Sequence, residues 1–139
     1  MNTNQKGALA ESKTISDLIS KGLFVYIGFG DSPVDLIAID TDGELYKIQV
    51  KYCSLKNGYI DVNNYIITTK HGKLMSRKYK HKDFDVIAAY IPELDECIYV
   101  ISDKICNMGS LRIRVLKPLN KQNKRINHKS DFVKFPKRM

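Results

Sequence analysis

The stretch Ser32 to Tyr52, S-P-V-D-L-I-A-I-D-T-D-G-E-L-Y-K-I-Q-V-K-Y, sets polar side chains inside two runs that otherwise read as buried strands. The first run, Val34 to Asp40, carries Asp35 at the start of an apolar sequence. The second, Glu44 to Tyr52, alternates strictly. Tyr46, Ile48, Val50 and Tyr52 fall on one face, and Leu45, Lys47, Gln49 and Lys51 fall on the other. Between the runs, Asp40-Thr41-Asp42-Gly43 is a tight-turn sequence in which Gly43 is free to take positive φ, so the two runs pair as an antiparallel hairpin. A carboxylate, an amide and an ammonium then meet at one edge of a sheet.

Upstream, Gln5 to Lys21 reads as a helix stopped by Gly22, with Ala8, Ile15 and Leu18 at helical spacing. Glu11 falls on the same face, and two placements stay open for it. Turned inward, its charge calls for a metal or a cation; with the helix rotated slightly, it sits at the border of the buried face. Leu23 to Gly30 reads as a strand closed by glycines and leads into the central pair.

Downstream, Asn57-Gly58 between extended runs is a strong hairpin signal. Tyr59 to Thr69 should return as a further strand, giving a meander of three or four strands behind the helix. From Lys70 to Lys82 the basic residues Lys70, His71, Lys73, Arg77, Lys78, Lys80, His81 and Lys82 occur with no acidic residue among them. That composition suits phosphate contact, and equally a solvated loop or short helix. Phe84 to Ile91 and Cys97 to Ile101 read as scaffold strands around the turn Pro92 to Glu96.

The tail opens with the strand-like L-R-I-R-V-L, which contains Arg112. It then turns basic and amide-rich through Lys117, Asn120, Lys121, Gln122, Asn123, Lys124 and Arg125. Arginine and side-chain amides are the favoured readers of base edges, so the tail suits groove reading as well as phosphate contact. It is also the composition of a frayed terminus; Phe132, Val133 and Phe135 argue for a docked end.

At 139 residues the chain reads as one domain, residues 1–139, with basic segments near 70–82 and 112–129 as candidates for DNA contact. Twenty-three Lys and Arg against fifteen Asp and Glu give a formal charge of +8, which favours a polyanionic partner. Three cysteines without C-x-x-C spacing suggest neither a disulfide framework nor a zinc site, and read as reduced thiols of a cytoplasmic protein. No apolar run suggests a membrane span or a secretion signal.

Phosphodiester hydrolysis needs a divalent cation, anionic oxygen ligands to hold it, and a group that positions or deprotonates the attacking water. Asp35, Gln49, Lys51 and Glu11 supply these parts. Asp35 would be the principal ligand, and hard oxygens without imidazole or thiolate point to Mg2+. Lys51 would face the water and the phosphate, either as a base of lowered pKa or as a charge stabiliser.

Glu11 on a first helix, then Pro33-Val34-Asp35, then Gln49-Val50-Lys51 on the next strand resembles the PD-(D/E)XK nuclease superfamily. More narrowly, P-V-D-L-I-A-I-D, Y-K-I-Q-V-K-Y, Y-I-P-E-L-D-E-C-I-Y-V-I and the L-R-I-R-V-L-K-P-L-N-K-Q-N-K tail resemble its group I intron-encoded homing endonucleases. The similarity runs from about Lys6 to Phe132. The resemblance implies an α/β restriction-endonuclease-like core with a central mixed sheet flanked by helices. It implies magnesium-dependent cleavage of double-stranded DNA in a bacterial or viral host cell. It also implies a homo-oligomer, dimer or tetramer, since one small chain carries one site. Carried over, Asp35 and Lys51 take the metal-ligand and catalytic-lysine places, Glu11 the helix-borne acidic place, and Gln49 the place usually held by Asp or Glu.

That amide ligates without contributing charge, and Val34 separates Pro33 from Asp35. Three other readings compete. One is a junction-resolving or repair nuclease of the same fold, and another a DNA-binding module without catalysis. The third is an ordinary sheet in which Asp35 caps a turn and Glu11 pairs with Lys51.

Overall fold

The structure, a computed structural model, describes residues 1–28, 30, 32, 34–78, 83–116 and 126–137, with the backbone alone for 66–70, 77 and 78. Helix α1 (Thr3–Ser20) starts two residues earlier than its apolar spacing indicates. The reason is a capping box: the Asn2 side chain accepts from the Gln5 N–H, and the Gln5 side chain accepts from the Asn2 N–H, each at 2.9 Å. Gly22, at φ 89°, ends the turn after the helix, as expected. The buried row is Ala10, Thr14 and Leu18, flanked by Leu9 and Ile15. Ala8 is exposed, so the inward face is rotated from the one its spacing suggested, and Glu11 sits half-buried at its border.

Strands β1 (Phe24–Ile27), β2 (Leu36–Ile39) and β3 (Leu45–Tyr52) form an antiparallel meander. The central pair forms the expected antiparallel hairpin, with Leu36 opposite Ile48 and Ile39 opposite Leu45. Asp40 closes its turn by accepting the N–H groups of Asp42 and Glu44 at 3.0 and 2.9 Å, with Gly43 at φ 84°. Along β3 the alternation holds: Tyr46, Ile48 and Val50 are buried under α1, and Lys47, Gln49 and Lys51 lie half-buried on the opposite face.

The meander does not continue into the next run. β4 (Tyr59–Asn63) leaves the sheet and pairs with β9 (Ser110–Arg114), which pairs in turn with β10 (Asn127–His128). The Asn57-Gly58 turn does form, at φ 51° and 82°, but it closes a single bridge between Lys56 and Tyr59. The chain before it has already turned away, with the Leu55 N–H donating to Glu93 Oε1 at 2.9 Å. The free edge of β3 is taken instead by β7 (Val86–Ile91) in parallel, with β8 (Glu96–Ile101) antiparallel beyond it, giving the mixed order β1-β2-β3-β7-β8.

Two apolar layers explain this arrangement. β7 is buried along its whole length, so both faces of the sheet need cover. α1 packs on one face against Ala38, Tyr46, Ile48, Ala88 and Tyr99. Ile60 and Val62 of β4, Leu111 and Ile113 of β9, and Ile105 of the short helix α2 (Ser102–Ile105) pack on the other, against Ile87, Ala89, Ile98 and Val100. The end of the chain docks as its aromatics suggested: Phe132 is buried, and Phe135 stands edge-on to Tyr46 and Tyr99 at 5.0 and 5.3 Å.

The basic run after Tyr65 is neither loop nor helix over its described part. β5 (Tyr65–Lys70) and β6 (Lys73–Lys78) form a two-stranded antiparallel ribbon turned at His71-Gly72, with φ of 53° and 75°. The expected Tyr59 to Thr69 strand is therefore two strands, broken at Asn64. Cys53, Cys97 and Cys106 are free thiols, and among the described residues no helix is long and apolar enough to cross a membrane.

Candidate active site

Asp35 enters β2 one residue before Leu36, and that register sets it beside Gln49 of β3. Its carboxylate accepts the Val50 N–H at 2.8 Å, while its own N–H donates to the Ile48 carbonyl at 2.9 Å. Both bonds exist because the chain runs extended for one more residue beyond the ladder. Burial raises the Asp35 carboxyl above the usual carboxylate range, against the Val50 N–H and the Lys51 charge, which pull it down.

Glu11 reaches this region from α1. Its carboxyl is raised too, first by burial and then by the charge of Asp35, so the two carboxylates feel one another. Of the two placements open for Glu11, the structure takes the border of the helix face, where the carboxyl still feels the charge of Asp35.

Gln49 brings a different group. Its Oε1 is completely buried and has no hydrogen-bond partner among the described residues. A buried acceptor left without a donor is costly, and in a native fold it calls for an explanation such as an ion. Lys51, two residues on and on the same face, is half-buried, and burial lowers its ammonium pKa against the opposing influence of Cys53 and Asp35. Its Nζ donates to Asn63 Oδ1 at 3.3 Å and to the Tyr65 carbonyl at 3.2 Å.

Among the described residues no group of three or more His, Cys, Asp or Glu side chains gathers to hold a metal. What the register does bring together is the Asp35 carboxylate and the Gln49 amide, with the Glu11 carboxyl in electrostatic reach of Asp35, and these are hard oxygens suited to Mg2+ or Ca2+ rather than to zinc. The orphaned Gln49 oxygen is the observation that fits this set to a divalent cation.

The structure divides the expected DNA-contacting residues. Lys73 is exposed on the ribbon beside its turn. Lys70, Arg77 and Lys78 also belong to the ribbon strands, but their side chains lie outside what is described. Arg112 lies on β9, donating to Asp61 at 3.0 and 3.3 Å and stacked 3.7 Å over the Tyr59 ring, with Arg114 at 5.5 Å from the same ring. Lys80, Lys117, Asn120, Lys121, Gln122, Lys124 and Arg125 lie outside the described residues.

Residue-type reasoning did not single out Asn63, Asn64 or Tyr65. The available signal was an Asn-Asn pair inside a run otherwise rich in tyrosine, isoleucine and threonine, where side-chain amides are poor strand formers.

A family model of PD-(D/E)XK endonucleases matches residues 1–135. No curated protein matches the chain. Among solved structures, the bacterial homing endonuclease I-Ssp6803I is similar, with a TM-score of 0.72 at 30% identity over 89% of this chain and 84% of that one.

Proposed function

We propose that this chain, which belongs to the PD-(D/E)XK endonuclease family, is a homing-type endonuclease that cuts both strands of a DNA duplex at a long specific site with Mg2+. The similarity to a bacterial homing endonuclease supports the homing reading, and the orphaned Gln49 oxygen beside Asp35, itself in electrostatic reach of Glu11, supports the metal. Asp35, Glu11 and Gln49 Oε1 would hold the cation. Bound there, magnesium supplies charge neutralisation at the scissile phosphate and a water of lowered pKa.

The chain's own groups do the rest. The Val50 N–H fixes the Asp35 carboxylate, so the ligand is set by the sheet rather than by a mobile side chain. The amide oxygen of Asn63 and the Tyr65 carbonyl both accept from Lys51 Nζ, and held there its charge would face the negative charge that grows on the phosphate. Lys73 on the ribbon, Arg112 and the basic tail would contact the duplex. Cutting two strands needs two sites and each chain supplies one, so the active species is a homo-oligomer, dimer or tetramer.

The experiment is selection from a randomised pool of long duplexes with magnesium or with EDTA, using the wild-type chain, Asp35→Ala and Lys51→Ala. The expected result is magnesium-dependent double-strand cutting at one selected sequence, lost in both variants while binding persists. Binding without cutting under any divalent metal would overturn the catalytic reading.

A further inference from the structure

Lys51 is held from across the molecule. Two acceptors of its Nζ, Asn63 Oδ1 and the Tyr65 carbonyl, flank a third residue, Asn64, that is fully buried at 0% exposure. The Asn64 side-chain amide donates to the carbonyls of Ile105, Cys106 and Met108 at 2.7, 3.2 and 2.9 Å. Its backbone N–H donates to the Gly109 carbonyl at 3.0 Å. Two amide hydrogens thus serve three carbonyls, so one is shared, and all of these bonds run to the segment that leaves α2.

Helix ends and the turns after them leave carbonyls without partners, and a side-chain donor from another element is the means of satisfying them inside a core. Asn64 does this at the price of a broken strand, since β4 ends at Asn63, opposite Ser110, and β5 begins at Tyr65. Gly109 packs closely at the joint: a Cβ there would stand 3.1 Å from the Tyr65 hydroxyl oxygen, close enough that the ring would have to shift by a few tenths of an ångström to admit it.

We propose that Asn63 and Asn64 are positioning residues for Lys51: Asn63, with the Tyr65 carbonyl, sets where the ammonium stands, and Asn64 fixes both acceptors by tying the β4–β5 junction to residues 105–109. The proposal rests on Lys51 being the lysine that meets the scissile phosphate. It also follows that the ribbon and the lysine share a root. Because β5 starts at Tyr65, the ribbon cannot shift at its base relative to β3 without moving one of the lysine's acceptors.

The test uses the full chain and the duplex that the wild-type protein selects and cuts from the randomised pool. Single-turnover cutting is measured at saturating protein, and binding of the same duplex by anisotropy in EDTA. A misplacement on the order of 1 Å costs up to about a hundredfold in rate, so Asn64→Ala should lose roughly that factor and Asn63→Ala about tenfold, with DNA affinity within about twofold of wild type.

Asn63 is exposed, so its replacement leaves the core intact and decides the matter if Asn64→Ala fails to fold. Asn63→Gln, which keeps an amide acceptor, should recover part of the loss. Wild-type cutting by Asn63→Ala beside a dead Lys51→Ala overturns the positioning role while leaving the active-site reading intact. Weakened binding with an unchanged rate at saturation overturns it too, making Asn63 a DNA contact. Normal cutting by Lys51→Ala removes the lysine's role and the positioning proposal with it.

Discussion

Replacing Gln49 by methionine separates the orphaned oxygen from everything else in the site. Methionine nearly conserves the volume and removes, together with the Nε2 donor, Oε1, a buried acceptor without a partner among the described residues. Leaving such a group unsatisfied costs about 1–3 kcal/mol, so Gln49→Met should stabilise the metal-free protein by that amount. At this chain length each kcal/mol moves the unfolding midpoint by roughly 3–4 °C, so Tm in EDTA should rise by about 3–12 °C.

Magnesium should reverse the ranking. A ligand bound only by the folded state stabilises it by about 2.7 kcal/mol at a hundred times its Kd, and wild type should gain that increment while Gln49→Met gains much less. The assay is thermal unfolding followed by circular dichroism in EDTA and across a magnesium titration. A variant less stable than wild type in EDTA would mean that the oxygen has a partner, such as an ordered water. An equal magnesium shift in both proteins would mean that Gln49 is no ligand. Either result refutes the reasoning from the orphaned atom.

Two further outcomes follow from the electrostatics. Burial raises the Asp35 carboxyl above its usual value, so its ionisation costs the folded state. Stability in EDTA should therefore be intact below the ordinary carboxylate pKa and fall as pH rises through the raised one. Asp35→Asn should remove that fall, leaving the variant more stable than wild type at neutral pH and inactive; parallel Tm-against-pH curves would contradict it. Lys73→Ala, beside the ribbon turn, should weaken binding across all duplex sequences and reduce the slope of log affinity against log salt by about 1. An unchanged slope would place the duplex elsewhere.

The central hairpin and its site face were legible because two independent local rules agreed. Period-two alternation set Gln49 and Lys51 on one face, and Asp40-Thr41-Asp42-Gly43 fixed the register that brings Asp35 to them. The scaffold strands β7 and β8 were legible from apolar runs. Their parallel pairing with β3 was not, since no local signal records which distant strand takes a free edge. The same gap misled the reading of Asn57-Gly58, where turn chemistry held at two residues and was overruled two residues upstream by the bond from Leu55 to Glu93. α1 shifted face because Ala8 and Ala10 are both apolar enough to be buried, and only packing against β3 distinguishes them. Asn64 was invisible for a related reason: a buried amide is justified by its partners, which lie 41 to 45 residues along the chain.

The amide at position 49 also bears on the charge of the proposed site. Glu11 and Asp35 already resist ionisation, each through burial first and Glu11 also through Asp35 itself. A third carboxylate in the Gln49 position, where the oxygen is fully buried, would add a like charge to that pair with no cation bound. The amide supplies the same ligand oxygen without it. Two carboxylates and the Lys51 ammonium leave one net negative charge, which a divalent cation converts to one net positive. That matches the single negative charge of a phosphodiester. A carboxylate at 49 would leave the metal-loaded site neutral, binding the cation more tightly and the phosphate less. Substituting an amide for a carboxylate therefore moves attraction from the metal to the substrate, and the metal-free fold keeps stability that a third buried charge would remove.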